Sequence, residues 1–233
     1  MSKKIYLVTI LLAFFHVSCD NANDLLNQYI ENGPITYAAK MDSVITQSGY
    51  NRFRVNIYPA TDVNRSYCVL SWNINEGLKD SVKINYTANN FDNSLGGYYT
   101  LIDIPSSSDI QGVLEINVQN VDVFDNKSLV QTASAYIYGL NYVSSLINAP
   151  ISISTGADEI IFEERIGAVG NLLSYEQDNG SFTEEIFVSE SSFPLVDAKA
   201  GGIIRTKTRY LINETDIDTL EVVEYLETII PEI

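Results

Sequence analysis

Histidine is almost missing from these 233 residues, and the only one, His16, lies in an N-terminal stretch that reads as a leader. A mature chain without histidine builds neither a Ser-His-Asp nor a Cys-His catalytic engine, and no zinc site with imidazole ligands. Cysteine is equally scarce. Cys19 and Cys68 are the only thiols, and because Cys19 is assigned below to a lipid, no disulfide is expected. Positive charge is short as well: 14 Lys and Arg stand against 30 Asp and Glu, a net charge of −16 that grows more negative when Lys3 and Lys4 leave with the leader. Such a chain repels phosphate backbones, so nucleic acid is excluded as a partner. No glycine-rich phosphate loop is present, since Gly201-Gly202 precedes a strand pattern and lacks the following Lys-Ser/Thr. No cofactor is expected.

The first 20 residues, MSKKIYLVTILLAFFHVSCD, carry the clearest targeting signal. Lys3 and Lys4 form a positive start. The apolar run Ile5 to Phe15 suits a signal-peptide core and falls well below the roughly 20 residues of a spanning helix. Val17-Ser18-Cys19 at its end resembles the lipobox of bacterial lipoproteins. That resemblance implies a signal peptide over 1–18, acylation of Cys19 as first mature residue, and a polar lipidated tether over 19–32. Ordinary signal cleavage beside a chance cysteine is the plainer alternative. Each buried CH₂ of an acyl chain contributes about 0.8 kcal/mol to membrane attachment, so several chains hold effectively for good. Asp20 and Asp24 resemble the acidic start of surface-export signals. The expected location is therefore the outer membrane, lipid-anchored and surface-exposed, with a periplasm-facing orientation as the other possibility.

From Gly33 onward, period-2 alternation dominates. Phe53, Val55 and Ile57 are set against Arg52, Arg54 and Asn56; Cys68, Leu70 and Trp72 against Val69, Ser71 and Asn73; Leu114, Ile116 and Val118 against Glu115, Asn117 and Gln119. Each pattern puts one face on a core and the other in water. Turn clusters such as Asn89 to Asn93, Ser106 to Asp109 and Asp178 to Ser181 separate them. No long stretch after the leader shows a 3.6-residue apolar period; even Asp216 to Ile230, with glutamates three apart, reads as strand because of Val222, Val223, Ile229 and Ile230. The fold class is all-β, with two tandem β-sandwich domains over 33–149 and 150–233, divided at Asn148-Ala149-Pro150 because proline lacks a ladder donor.

Several residues carry candidate chemistry. Trp72 alternates in phase with Cys68 and Leu70, which places it in a core rather than on a sugar-stacking face. Phe91, Tyr98 and Tyr99 flank a loop, Asn89 to Gly97, whose Asn93 and neighbours offer hydrogen bonds to hydroxyls; a hairpin with packed aromatics is the plainer reading. Asp122, Asp125 and Asn126 supply oxygens to a turn that could hold calcium, against a solvated turn packing Phe124. The pairs Glu163-Glu164 and Glu184-Glu185 do not make a glycosidase, because neighbours along a strand point to opposite faces. An enzyme is therefore not expected.

The phrases GPITYAAKMDSV, NRFRVNIY, YCVLSWN and YIYGLNYVSSLINAPI occur in an order and spacing that resemble a family of Bacteroidota lipoproteins, catalogued as a domain of unknown function numbered four-nine-nine-eight. Asp42-Ser43-Val44, Asn51-Arg52, Trp72-Asn73, the Asp122 to Ser128 turn, and Tyr138-Gly139 with Tyr142, Ser145 and Leu146 match its recurrent positions. The resemblance implies immunoglobulin or fibronectin type III-like sandwiches held at the cell surface, among proteins of polysaccharide use, with no activity assigned. The expected function is a non-catalytic accessory for glycan binding or capture, with the membrane reached through the N-terminal lipid. A structural or adhesive spacer, or a module for a surface protein partner, is the alternative.

Overall fold

A computed structural model describes residues 36–75, 78–106, 110–154, 156 and 158–232. The leader, Cys19 and the tether lie outside the described residues, and Ala38–Ile233 form one compact unit. Its first strand, β1 (Met41–Tyr50), is followed by β2 (Arg52–Pro59), β3 (Arg65–Asn75), β4 (Leu78–Asn85), β5 (Phe91–Asp92), β6 (Gly97–Asp103), β7 (Gly112–Asp122) and β8 (Gln131–Tyr138). They hydrogen-bond in the order β4-β3-β7-β8-β1-β2-β6-β5. Every pairing is antiparallel except β1 with β8, which run parallel at Gly49 opposite Ile137 and Tyr50 opposite Tyr138.

That parallel junction is where the sheet folds over. Phe53 on β2 and Trp72 on β3 are far apart in sheet order, yet their rings meet edge to face at 5.6 Å. The layer β1-β2-β6-β5 therefore covers the layer β4-β3-β7-β8. This is the strand order of the immunoglobulin and fibronectin type III sandwich, with its buried tryptophan on the third strand. The core follows the alternation: Phe53, Val55, Ile57, Cys68, Leu70, Ile116, Val118 and Ile137 are fully enclosed. Asn56 is buried out of phase, held by Gln47 and Arg54 through its side-chain amide.

After a short helix, α1 (Leu140–Ser145), come β9 (Ile151–Ile153), β10 (Glu159–Phe162), β11 (Ala168–Tyr175), β12 (Ile186–Val188), β13 (Ser192–Pro194), β14 (Ile203–Tyr210), β15 (Leu220–Glu221) and β16 (Leu226–Ile229). They form one sheet of order β13-β10-β9 and another of order β12-β11-β14-β15, with β16 also on β14. Both sheets feed one core of Ile160, Phe162, Leu173, Tyr175, Val188, Leu195, Ile204 and Ile230. The stretch Asp216 to Ile230 is not one strand but two short ones, β15 and β16; of Val222, Val223, Ile229 and Ile230 only Ile229 lies on a strand, while Val222 and Ile230 are buried in the segments beside them. A third cluster joins the two halves: Tyr138, Val143 and Leu220 are buried together, with Tyr142, Leu146 and Ile212 packed against them.

Candidate functional site

The reversal between β1 and β2 is sharp, with Asn51 at φ 51°, a left-handed conformation that Asn tolerates better than most residues. Its N–H donates to the Tyr138 carbonyl at 2.8 Å, and its own carbonyl accepts from Ile104 N–H at 2.7 Å. The corner carrying Tyr50 and Arg52 is thus fixed to both layers of the first sandwich. Residues 211–219 of the second half close on this corner. Asp218 accepts from the Tyr50 N–H and from Arg52 Nε, each at 2.9 Å, and also from Arg52 Nη2. The Arg52 hydrogen bond holds the Asp218 carboxyl below the usual carboxylate range, and the same bond raises the Arg52 guanidinium.

Around this pair the grip continues. Ile217 N–H donates to the Ser48 carbonyl at 2.9 Å, and Gln47 Nε2 to the Thr215 carbonyl at 2.8 Å. Tyr138 donates its hydroxyl to Asp216 at 2.8 Å; burial, and then this acceptor, raise its phenol. Gly49 permits the approach, since a Cβ there would stand 2.6 Å from Asp218 Oδ2 and 2.7 Å from the Ile217 side chain. Beside the grip lies a cleft of about 700 Å³, bordered by Tyr50, Arg52, Asp103, Val143, Asp218 and Glu221. Of the three carboxylates at its border, Asp218 is paired with Arg52 and Glu221 with Arg209, and the exposed ring of Tyr50 stands next to them.

The residues singled out from sequence do not line this cleft. Tyr98 packs on Tyr86 at 4.8 Å and against the first core, and Phe91 meets Tyr98 at 5.0 Å. Tyr99, the next residue on β6, points to the other face and lies under Arg54 at 4.3 Å. Strand alternation alone separates Tyr98 from Tyr99, so the four residues Phe91, Asn93, Tyr98 and Tyr99 do not form one binding surface. Asn93 is exposed in a loop whose Asp92 carboxylate already accepts from Ser94 and Arg54. Asp122 is buried, and its two oxygens take the N–H groups of Phe124 and Asn126 and the Asn126 amide nitrogen, which closes the turn on itself. Asp125 stands exposed at φ 63°. Among the described residues, no group of three or more His, Cys, Asp or Glu is arranged to hold a metal ion. The sequence pointed to Asp216-Ile217-Asp218-Thr219 only as a stretch resembling the family's C-terminal half, and nothing in it paired Asp218 with Arg52 or Asp216 with Tyr138. It resembled the family also at Asn51-Arg52 and Tyr138-Gly139 with Tyr142, all of which meet at this seam.

Strand order, buried Trp72 and the enclosed cores define an all-β chain of the immunoglobulin and fibronectin type III sandwich class. The chain matches the family model DUF4998, a domain of unknown function, over residues 19–220, and it belongs to that family. No curated protein matches it. Among solved structures it is similar to a family 76 glycoside hydrolase from a bovine Bacteroides thetaiotaomicron strain, at 13% identity and TM-score 0.34, over 43% of this chain and 21% of that one. It is also similar to the chicken CNTN1 FN1-FN3 domains, at 11% identity and TM-score 0.39, over 85% of this chain and 69% of that one. The chain thus spans about a fifth of the hydrolase, and similarities this low say nothing about activity.

Proposed function

We propose that this protein is a non-catalytic, lipid-anchored module of the outer membrane that captures a neutral glycan in the seam cleft, as an accessory to uptake. The observation that carries the reading is the cleft's composition. Arg52, Asp103 and Glu221 are planar polar groups of the kind that hold neighbouring hydroxyls in pairs, and Tyr50 offers an aromatic face for the CH surface of a sugar ring. With Asp218 paired to Arg52 and Glu221 to Arg209, the surplus charge at the cleft is the negative one of Asp103, which disfavours an anionic ligand. Asp218 is a poor general acid, because Arg52 keeps it ionised, and this favours binding over turnover.

The test is a glycan array probed with detergent-solubilised full-length protein, followed by Tyr50→Ala and Asp103→Asn. Retention of a neutral glycan, lost in both variants while the melting temperature stays put, is the expected result. An array without a hit, or a hit that both variants keep, overturns the reading. The interlocked seam also favours a second function, a stiff spacer that presents a partner-binding tip. That reading requires a protein partner captured in the absence of any sugar.

A further inference from the structure

We propose that the end of the first sandwich remote from the seam rests on the lipid surface through the apolar tips of three loops. The inference rests only on the lipid-anchor part of the proposed function. Strand register brings the three loops together: Met41 lies opposite Pro59, Ile57 opposite Tyr98, and Arg65 opposite Asp122. The β2–β3, β5–β6 and β7–β8 loops therefore share one end, and Val123 N–H donates to the Asn64 carbonyl between two of them at 2.8 Å. Each loop exposes an apolar side chain: Val63 at 95% of its surface, Leu95 at 43%, Val123 at 59% and Phe124 at 70%. The closed turn at Asp122 holds the Phe124 and Asn126 N–H groups, so Phe124 is presented outward by a fixed backbone.

Exposure alone distinguishes nothing, since Ile166 and Val113 share it at other turns and strands. What distinguishes this end is where the chain arrives. Ala38, the first residue of the compact unit, donates its N–H to the Lys127 carbonyl in the β7–β8 loop at 3.3 Å. Ala38 is 19 positions from Cys19, and at about 3.3–3.6 Å per residue Ala38, at this end, stays within roughly 65 Å of an acylated Cys19 whatever path lies between. Attachment at that distance makes the contact intramolecular, so a weak apolar contact suffices to hold it. Charge opposes it little: Asp42, Asp62, Asp92, Asp122 and Asp125 at this end stand against Lys40, Arg54, Arg65 and Lys127, one charge of surplus where the whole chain carries −16. Apolar tips beside nearly balanced charge fit the headgroup boundary of a bilayer.

The experiment uses the full chain, expressed with lipid processing and recovered in membranes. A polarity-sensitive fluorophore is placed on Val63→Cys or, in the turn after β11, on Asn179→Cys; Cys68 is enclosed and escapes the label. After transfer to phosphatidylcholine vesicles carrying brominated acyl chains, the label at 63 is quenched and blue-shifted, the label at 179 is neither, and adding Phe124→Asp removes most of the quenching at 63. Protein retained in membranes with no more quenching at 63 than at 179 overturns the docking and leaves the anchor standing. Protein absent from the membrane fraction overturns both. A label at 63 shielded from aqueous iodide but unquenched by brominated chains means that a protein covers this end, which also refutes a lipid contact.

Discussion

Replacing Asp218 with Asn removes the charge at the centre of the seam and keeps the size of the side chain. Asp218 accepts three hydrogen bonds, two of them from Arg52, and its side chain is 16% exposed against 38% for Arg52. Hydrogen bonds to charged groups contribute about 1.5–3 kcal/mol each when shielded. Partial exposure of Arg52 and the acceptor retained by Asn reduce the total to about 2–3 kcal/mol. For a unit of this size that corresponds to a fall in melting temperature of about 5–10 °C. The carboxyl is depressed in the folded protein, so its contribution is fully present above the unfolded value of about 3.9 and is lost as pH falls through the folded value. Urea unfolding followed by Trp72 fluorescence, with wild type and Asp218→Asn compared at pH 7, 5.5 and 3.5, tests both statements. The gap should be level between pH 7 and 5.5 and narrower at 3.5. Equal stabilities at pH 7 would show that the ion pair is compensated by its desolvation, and a gap undiminished by acid would show that the charge is irrelevant.

Trp72→Ala should cost about 3–5 kcal/mol in the same assay read by circular dichroism, as for other large buried aromatics; a mutant that melts like the parent refutes the core placement. Burial pushes the Cys68 thiol up to about 12, so a thiol reagent at pH 8 should leave it unlabelled until denaturant unfolds the chain, and prompt labelling of the native protein refutes its enclosure. We expect a 33–149 fragment to fold cooperatively, because its core is drawn from β1 to β8 alone, and 150–233 to be soluble but less stable, because Leu220 loses Tyr138 and Val143. Collapsed proton NMR spectra from both fragments would mean one indivisible domain. Cys19→Ala should release the protein from membranes, and retention would end the lipoprotein reading.

The core strands were legible because one face is buried along their whole length. Phe53, Val55 and Ile57 are enclosed while Arg52 and Arg54 are not, and Ile160 and Phe162 are buried on either side of exposed Ile161. In β11 the alternation breaks, with Gly170, Asn171, Leu172 and Leu173 buried in a row. There Asn171 accepts from Thr208, whose hydroxyl oxygen in turn accepts from Ala149 N–H, so the link between the halves covers what would be the solvent face. Helix α1 has six residues, fewer than two turns, too few for a helical period to register. The seam was least legible. Arg52 and Asp218 are 166 positions apart, and two aspartates in a polar stretch carry no sign of which will meet a guanidinium and which a phenol.

The parallel pairing of β1 with β8 also has a mechanical meaning. A pull on Ala38 runs along one strand from Met41 to Tyr50, bonded to β2 throughout and to β8 at its far end, and reaches the Asp218 grip directly. Those bonds lie across the line of pull and are loaded in shear, all together, rather than opened one after another as in a peeled hairpin. Tension entering at the N-terminal end would therefore arrive at the cleft along β1, by a path that does not pass through the small β5 edge.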